Sequence, residues 1–204
     1  MVIRVDGKAF HTFTRDLVKP FSVQFQLCMM DVARNLCKEI QSAVCAYVQS
    51  DEISILLHPY KRLESQPWYS NNLQKMVSVT AGMASAHFTQ GWGKVVVFDG
   101  RAFVLPEEEV VNYFIWRQQD AERNSISMVA QSLYMPRELH GKKFADLKEM
   151  LLAKEWDWDS LPALQKRGVC VIKSGGEWHT DKDIPRFAES WDYIRSLLAT
   201  EDQD

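Results

Sequence analysis

Residues 43–57 read Ala-Val-Cys-Ala-Tyr-Val-Gln-Ser-Asp-Glu-Ile-Ser-Ile-Leu-Leu. The runs Ala43–Gln49 and Ile53–Leu57 are rich in residues that favour strands, and the polar Ser50-Asp51-Glu52 separates them. Two such runs around a short polar turn predict a β-hairpin. The predicted hairpin carries an acidic pair, Asp51 and Glu52, at its tip.

The N-terminal residues predict a strand that also ends in an acid. Val2–Val5 has strand character, and Asp6-Gly7-Lys8 ends it. If this strand lies beside the hairpin in one sheet, Asp6 and Asp51 meet, as in palm-type polymerases and nucleotide cyclases. Taken singly, Asp-Gly after a strand and Asp-Glu at a hairpin tip are usually only turns. The functional interpretation therefore depends on finding both together.

The rest of the first 140 residues alternates predicted helices and strands. Apolar spacing predicts helices over Ser22–Val44, Leu73–Thr89, Pro106–Trp116 and Asp120–Leu133, and a strand over Lys94–Phe98. This order predicts an α+β fold, a palm-like antiparallel sheet with helices packed on one face.

After Gly141 the pattern changes. We predict a helix over Phe144–Ala153, a hairpin of Val169–Lys173 and Glu177–Thr180, and a closing helix over Phe187–Leu198. The expected organisation is a catalytic domain at 1–140 and a small α/β extension at 141–204 packed on it.

Composition limits the classes of partner. The net charge is −3, so RNA binding would need a local basic patch rather than a global field. No apolar run approaches the roughly 20 residues of a membrane span. The four cysteines form no C-x-x-C pair, and the N-terminus has no signal-peptide pattern. We therefore expect a cytoplasmic protein with no membrane partner.

The two predicted acidic strand ends suit phosphoryl transfer. Two magnesium ions held by Asp6, Asp51 and a backbone carbonyl near Gly7 would stabilise the attacking and leaving oxygens of a triphosphate reaction. The backbone N–H groups of Lys8, Ala9, Phe10 and His11 could cradle the triphosphate, and Lys19 is near enough in sequence to reach it.

Several ordered motifs resemble the tRNA(His) guanylyltransferase family. They are Ile3–His11, Lys19-Pro20, Gln49–Ser54, Phe98-Asp99-Gly100-Arg101, Tyr113–Ala121, Gly141-Lys142 and Asp183-Ile184-Pro185. The resemblance implies a magnesium-dependent tRNA nucleotidyltransferase that adds nucleotides to the 5′ end, in the reverse (3′-to-5′) direction. It implies ATP and GTP as substrates, tRNA as the RNA partner and a tetrameric homo-oligomer.

The resemblance also implies roles for particular residues. Asp6, Gly7 and Asp51 would bind two magnesium ions, and Glu52 and Ser50 would support that site. Lys75 matches a lysine that contacts nucleotide phosphates, and Lys19 matches one near the activated 5′ end. Candidate tRNA contacts are Arg117, Asp120, Asn124, Lys142 and Arg167, although a helix-surface salt bridge explains Arg117 and Asp120 equally well.

Two residues depart from the pattern of that family. The family in general tends to carry an arginine where this chain has Asn72, a departure that bears on triphosphate binding. Family members that act on tRNA(His) carry a histidine where this chain has Glu122. The Glu122–Met128 stretch resembles relatives that repair shortened tRNA 5′ ends on a template. Guanosine addition to tRNA(His) and a non-catalytic tRNA-binding protein remain the alternatives.

Overall fold

The computed structural model describes residues 1–60 and 66–199 as a mixed helix and sheet protein. Six strands form one antiparallel sheet in the order β4-β1-β3-β2-β5-β6. The strands are β1 (Val2–Gly7), β2 (Ala43–Gln49), β3 (Glu52–Leu57), β4 (Phe98–Phe103), β5 (Val169–Ser174) and β6 (Glu177–Asp181). The α+β antiparallel prediction and both predicted hairpins are confirmed.

Eight α-helices accompany the sheet in the residues that the structure describes. They are α1 (Phe10–Phe13), α2 (Val23–Glu39), α3 (Leu73–Trp92), α4 (Glu107–Leu133), α5 (Pro136–Leu139), α6 (Phe144–Leu152), α7 (Ala163–Arg167) and α8 (Trp191–Leu198). Among the described residues, no helix has the length and apolarity to cross a membrane.

Helices cover both faces of the sheet, not one face as the sequence suggested. Alternate strand residues point to opposite faces. Ile3, Ile55 and their neighbours pack against α2 and α3, whereas Val2 and Leu56 pack against α4 and α8. The central strands are therefore buried on both sides, which explains why their sequences are almost continuously apolar.

The helix α4 is one continuous helix, whereas the sequence pattern suggested two helices with a junction at Arg117–Asp120. No proline or glycine interrupts residues 107–133. Its buried residues Val110, Phe114, Arg117 and Ala121 recur every three or four positions, as one helical face requires. Arg117 and Asp120 consequently lie in the middle of a rigid helix.

The strand predicted at Lys94–Phe98 is wrong, because the observed strand β4 begins only at Phe98. The preceding segment leaves α3 through Gly93, which has a left-handed φ of 79°. Its outer N–H groups are bound by α3: Phe98 N–H donates to Ser85 Oγ at 2.9 Å, and Val96 N–H to Thr89 Oγ1 at 3.3 Å. These hydroxyls cover part of an edge that would otherwise attract another strand.

Two predicted helices are shorter than expected. The helix α2 ends at Glu39 because Ile40 is extended and Ser42 has a positive φ of 65°. The helix α8 begins at Trp191, and the preceding Phe187 is instead buried in the core, with its N–H donating to Gln118 Oε1 at 2.8 Å.

The C-terminal hairpin extends the main sheet. Strand β5 pairs with β2 from Cys45↔Ile172 to Val48↔Val169. Ser125 on α4 adds a second link, because it accepts a hydrogen bond from Trp158 Nε1 at 3.0 Å and donates one to the Gln165 carbonyl at 2.6 Å. The residues after 140 are thus fastened to the strands that carry the acidic turn.

Candidate active site

The acids Asp6 and Asp51 line the same cavity. Strand β1 pairs with β3 so that Asp6 lies opposite Glu52, and Gly7 N–H donates to the Asp51 carbonyl at 3.1 Å. The cavity has a volume of about 380 Å³ and also contains Ser50 and Glu52 in its lining. The sheet register therefore brings together carboxyl groups that are 45 positions apart in sequence.

The tip of the hairpin is a two-residue turn. Gln49 and Glu52 are the last paired residues, which leaves Ser50 and Asp51 to make the turn. Ser50 adopts a left-handed φ of 49°, a conformation that is uncommon for a residue other than glycine. Such backbone strain is typical of positions where the surrounding structure holds a functional group in place.

Negative charge accumulates around Asp6. Burial is the largest effect that raises the pKa of Asp6, and the charges of Asp51, Glu52 and Asp99 add to it, giving a pKa of about 6. Arg4 opposes the shift. Burial also raises the pKa of Asp51, against the lowering effect of hydrogen bonds from its own backbone and from Ser50. Because the pKa values of Asp6 and Asp51 are both raised, the two carboxyl groups favour a bound cation or a proton.

Glu52 is held by Arg117 rather than left free. Arg117 Nε and Nη2 donate to the two Glu52 carboxylate oxygens, each at 2.8 Å, in a bidentate ion pair. Gln49 Nε2 adds a hydrogen bond at 3.2 Å and Ser54 Oγ one at 3.4 Å. With its oxygens engaged, Glu52 supports the acidic turn instead of offering a free carboxylate.

Arg117 is held inside the protein. Only 6% of Arg117 is exposed, and its guanidinium also donates to Asp120 Oδ2 at 2.9 Å. The expected ion pair with Asp120 on the helix is therefore present, but its arginine is largely buried and not on the surface. The tRNA contact of Arg117 stays a prediction. Asp120 itself lines the cavity, together with Asn124, whose Nδ2 donates to it at 3.4 Å.

Gly7 is required by packing within the protein. A Cβ atom added at Gly7 would lie 2.3 Å from the Phe10 ring, which is buried against Phe25, Phe88 and Phe98. This close contact fixes the start of the loop that follows β1.

One N–H group of the predicted phosphate loop is already used. Lys8 N–H donates to the Val97 carbonyl at 2.9 Å, so it is not available to a triphosphate. Ala9 has a left-handed φ of 58°, which turns the chain into the short helix α1. The part of the loop that remains open to a ligand is therefore Ala9–His11.

A second cavity gathers three of the predicted nucleotide-binding residues. His11, Lys19 and Ser50 line a space of about 390 Å³ that also includes Met128. Lys19 Nζ donates to the Thr14 carbonyl at 2.8 Å, which holds the ammonium group at this wall. Because Ser50 and Met128 also line the acidic cavity, the two spaces adjoin.

The remaining predicted residues lie elsewhere. Lys75 is exposed, lies over the Tyr69 ring at 5.9 Å and lines none of the cavities described here. Asn72 caps α3 by accepting a hydrogen bond from Lys75 N–H at 3.1 Å, which gives this position a structural role without an arginine. Lys142 is exposed.

Arg167 is also engaged internally. Its Nε donates to the Ile184 carbonyl at 2.8 Å, and its own carbonyl accepts from Tyr47 Oη at 2.6 Å. These bonds fasten the segment before β5 to the sheet. These two hydrogen bonds account for the position of Arg167 without an RNA contact.

Two functional candidates were missed by sequence reasoning. Asp99 lies directly opposite Asp6 across β1 and β4, and its charge contributes to the raised pKa of Asp6. Asp99 received no predicted role, because the predicted strand ended at Phe98 and left Asp99 outside it. Trp116 is 49% exposed, and the centre of its ring lies 4.5 Å from the Arg117 guanidinium.

The two carboxylates do not form a complete metal cage by themselves. Among the described residues, no group of three or more His, Cys, Asp or Glu side chains is arranged to enclose a metal ion. Asp6 and Asp51 offer hard oxygen atoms in a cavity with excess negative charge. Magnesium sites commonly use one or two protein carboxylates and complete their coordination with water and substrate phosphates.

One family and several solved structures are similar to this chain. The Thg1 family, described as tRNAHis guanylyltransferase, matches residues 1–106. A bacterial tRNA(His) guanylyltransferase (Thg1)-like protein solved in complex with ATP shares 42% sequence identity, with a TM-score of 0.94, over 97% of this chain and 89% of that one. A structure of such a protein in complex with GTP shares 39% identity, with a TM-score of 0.82, over 97% and 88%.

A probable tRNA(His) guanylyltransferase of Drosophila melanogaster is 28% identical over 195 residues, which is 85% of this chain. The chain spans 66% of that protein's length, just under two thirds. The two bacterial structures cover almost the whole chain, so the likeness includes the C-terminal hairpin as well as the acidic cavity.

Proposed function

The chain belongs to the tRNA(His) guanylyltransferase (Thg1) family of tRNA 5′-end nucleotidyltransferases, and from this premise we propose that it repairs shortened tRNA 5′ ends by templated 3′-to-5′ nucleotide addition. The observation that carries the proposal is the shared cavity of Asp6 and Asp51. Its substrates are tRNA and nucleoside triphosphates, including ATP and GTP, which the bacterial relatives bind.

Magnesium fits the donor atoms of this cavity. Asp6, Asp51 and the Gly7 carbonyl are the residues that would hold it, and the raised pKa of Asp6 marks negative charge that a cation would neutralise. Two bound magnesium ions supply charge stabilisation of the attacking and leaving oxygens during phosphoryl transfer. Asp99, across the strand from Asp6, increases the local demand for a cation.

The chain's own residues position the reactants. Ala9–His11 presents backbone to the triphosphate, and Lys19 brings a positive charge to the adjoining cavity where an activated 5′ end would lie. The ion pair of Glu52 with Arg117 keeps the acidic turn fixed relative to α4. Holding the reacting groups in line is the main contribution a protein makes to phosphoryl transfer.

The environment of Glu122 favours repair over guanosine addition to tRNA(His). The carboxylate of Glu122 accepts a hydrogen bond from Arg186 Nε at 3.2 Å and is largely buried. Where the tRNA(His)-specific relatives carry a histidine, this chain thus has an internal ion pair. Guanosine addition to intact tRNA(His) is the second candidate, supported by the names of the curated relatives.

The assembly we propose is a homo-oligomer, with a tetramer favoured by the family resemblance. A tRNA that contacts more than one subunit would not need a large basic surface on any single chain. This agrees with the net charge of −3 and with the internal roles of Arg117 and Arg167.

The proposal is tested by incubating the full chain with a 5′-truncated tRNA, labelled nucleoside triphosphates and magnesium. We expect addition of the nucleotide that pairs with the opposing 3′-strand base, and little addition of a mismatched one. Asp51→Asn should abolish addition, whereas Asp31→Asn, which removes an exposed acid on α2, should not.

Three outcomes discriminate among the functions. Addition to intact tRNA(His) without addition to truncated tRNAs would support the second candidate. Magnesium-independent tRNA binding with no nucleotide incorporation would support a binding protein. An active Asp51→Asn enzyme would contradict the assigned site.

A further inference from the structure

A small third cavity lies beside the acidic cavity. It has a volume of about 80 Å³ and lies between the N-terminal end of α2, the end of β2, and helices α4 and α7. Its walls are mainly apolar and its rim is polar. The apolar residues are Phe21, Phe25, Ala121, Met128 and Leu164, and the rim includes Ser50, Asn124 and Lys166.

The third cavity adjoins the candidate active site. Gln49, Ser50, Asn124 and Met128 line both the acidic cavity and this smaller one. A ligand group inserted here would therefore remain attached to a molecule that reaches the catalytic acids.

Gln49 supplies a buried acceptor without a donor. It is 5% exposed, and its Nε2 donates to Glu52 Oε1, which fixes the orientation of the amide. The other amide atom, Oε1, is enclosed and has no hydrogen-bond partner among the described residues. Buried polar atoms are normally paired, so an unpaired carbonyl at a cavity wall suggests that a ligand N–H group completes it after a small shift of the amide.

The size and lining of the cavity select a class of ligand. Apolar and aromatic walls with one buried acceptor suit a planar heterocycle that carries an N–H donor, as nucleobases do. Proteins hold a benzene-sized ring in a closed cavity of about 150 Å³. A cavity of about 80 Å³ is about half that size, so it can take only part of a single ring entering edge-first, and it excludes two fused rings.

We propose that this cavity binds an unpaired pyrimidine base from the 3′-terminal strand of the tRNA whose 5′ end occupies the catalytic cavity. In any tRNA the 3′ strand continues past the 5′ end as a single strand with two cytidines. The exocyclic amino group of cytosine can donate to Gln49 Oε1. This inference rests on the proposed function, because it assumes that a tRNA 5′ end lies at Asp6 and Asp51.

The test uses equilibrium binding, so that it does not depend on nucleotide transfer. A hairpin RNA with a recessed 5′ end, a four-nucleotide 3′ overhang and a fluorescent label in its loop is titrated with the full chain, and anisotropy is recorded. Three overhangs are compared: one with the two cytidines, one with abasic sites there, and one with adenosines. We expect the cytidine overhang to bind about tenfold more tightly than the other two.

A matched pair of variants tests whether the preference for the cytidine overhang arises in this cavity. Leu164→Phe places a ring in the cavity. It should lower the affinity for the cytidine overhang to that for the abasic overhang, without lowering the affinity for the abasic overhang. Leu161→Phe makes the same change three residues earlier, outside the cavity lining, and should keep the preference. Thermal melting confirms that both variants are folded.

Equal binding of the three overhangs by the wild-type chain overturns the proposal, with no variant required. A preference that survives in a folded Leu164→Phe protein overturns the assignment to this cavity. If free cytidine monophosphate displaces the cytidine overhang at similar concentration, the occupant is a free nucleotide and the RNA assignment is wrong. A retained preference without transfer to any tRNA would contradict the proposed function alone.

Discussion

Arg117 on α4 and Glu52 on β3 form a bidentate ion pair in which both nitrogen–oxygen distances are 2.8 Å. Both side chains are largely buried, at 8% and 12% exposure. The pair joins the middle of the longest helix to the first residue after the acidic turn. It is one of the contacts through which α4 holds the candidate catalytic hairpin, together with the hydrogen bond between Tyr113 Oη and Ser54 Oγ at 2.8 Å.

Arg117→Met should destabilise the protein strongly. The substitution leaves the Glu52 carboxylate buried without its partner, and breaking a buried ion pair in this way costs about 3–5 kcal/mol. Arg123→Met is the matched control, because Arg123 is an exposed arginine on the same helix whose pair with Asp120 should contribute about 1 kcal/mol or less. Urea unfolding of both variants measures the difference, and similar losses would contradict the distinction.

Asp6→Asn should stabilise the magnesium-free protein while abolishing nucleotide addition. The folded-state pKa of Asp6, about 6, lies above its ordinary value of 3.8, so folding favours the protonated acid. This contribution is present at low pH and is lost as pH rises from about 4 to about 6. The free energy of unfolding of the wild-type chain should therefore fall relative to Asp6→Asn across that window and then level off.

The same titration predicts the pH dependence of metal binding. Magnesium binds the ionised carboxylate, so its affinity for the wild-type chain should decrease as the pH is lowered below about 6. Chemical denaturation in the presence of a chelator measures the free energy of unfolding, and calorimetric titration with magnesium measures its affinity. If the difference in unfolding free energy between the wild type and Asp6→Asn does not change with pH, the stability prediction and the metal-binding prediction are both contradicted.

Gly7→Ala should destabilise the chain through Phe10. The new Cβ would lie 2.3 Å from the Phe10 ring, and overpacking of this kind costs about 1–3 kcal/mol. Phe10→Leu in the same chain should recover part of that loss, because it removes the clashing ring edge. A double-mutant cycle measures the coupling, and strictly additive effects would show that the clash is relieved elsewhere.

Ser125→Ala should loosen the C-terminal unit. The substitution leaves the buried Trp158 indole N–H and the Gln165 carbonyl without their shared partner, at a cost of about 1–3 kcal/mol. Ser127→Ala is the control, since Ser127 bonds only to a carbonyl of its own helix. Hydrogen exchange at β5 should increase in the first variant and stay unchanged in the second.

The local features of the site were predictable because they depend on short stretches of sequence. The hairpin around Ser50 and Asp51 follows from two strand-forming runs and a polar turn, and its pairing with the first strand brings in Asp6. The proximity of Asp6 and Asp51 follows from those pairings, whereas the cavity around them also needs α4, which contributes Asp120 and Asn124 to its lining.

The errors involve residues whose environment is set by distant partners. Arg117 looks like a surface charge in sequence, and only the position of Glu52 across the helix–sheet interface explains its burial. The valine-rich segment before Phe98 looks like a strand, but hydroxyls of α3 bind its N–H groups. Neither partner is adjacent in sequence, so spacing alone could not reveal either relationship.

The 27 residues of α4 extend for about 40 Å without a break. Near the middle of its buried face Arg117 binds Glu52 beside the acidic turn, and two turns further on Ser125 binds the segment that contains Trp158. One rigid helix therefore sets the distance between the acidic turn and that segment. A displacement of either part relative to the other has to move or bend α4, so the spacing between them is a fixed property of the fold.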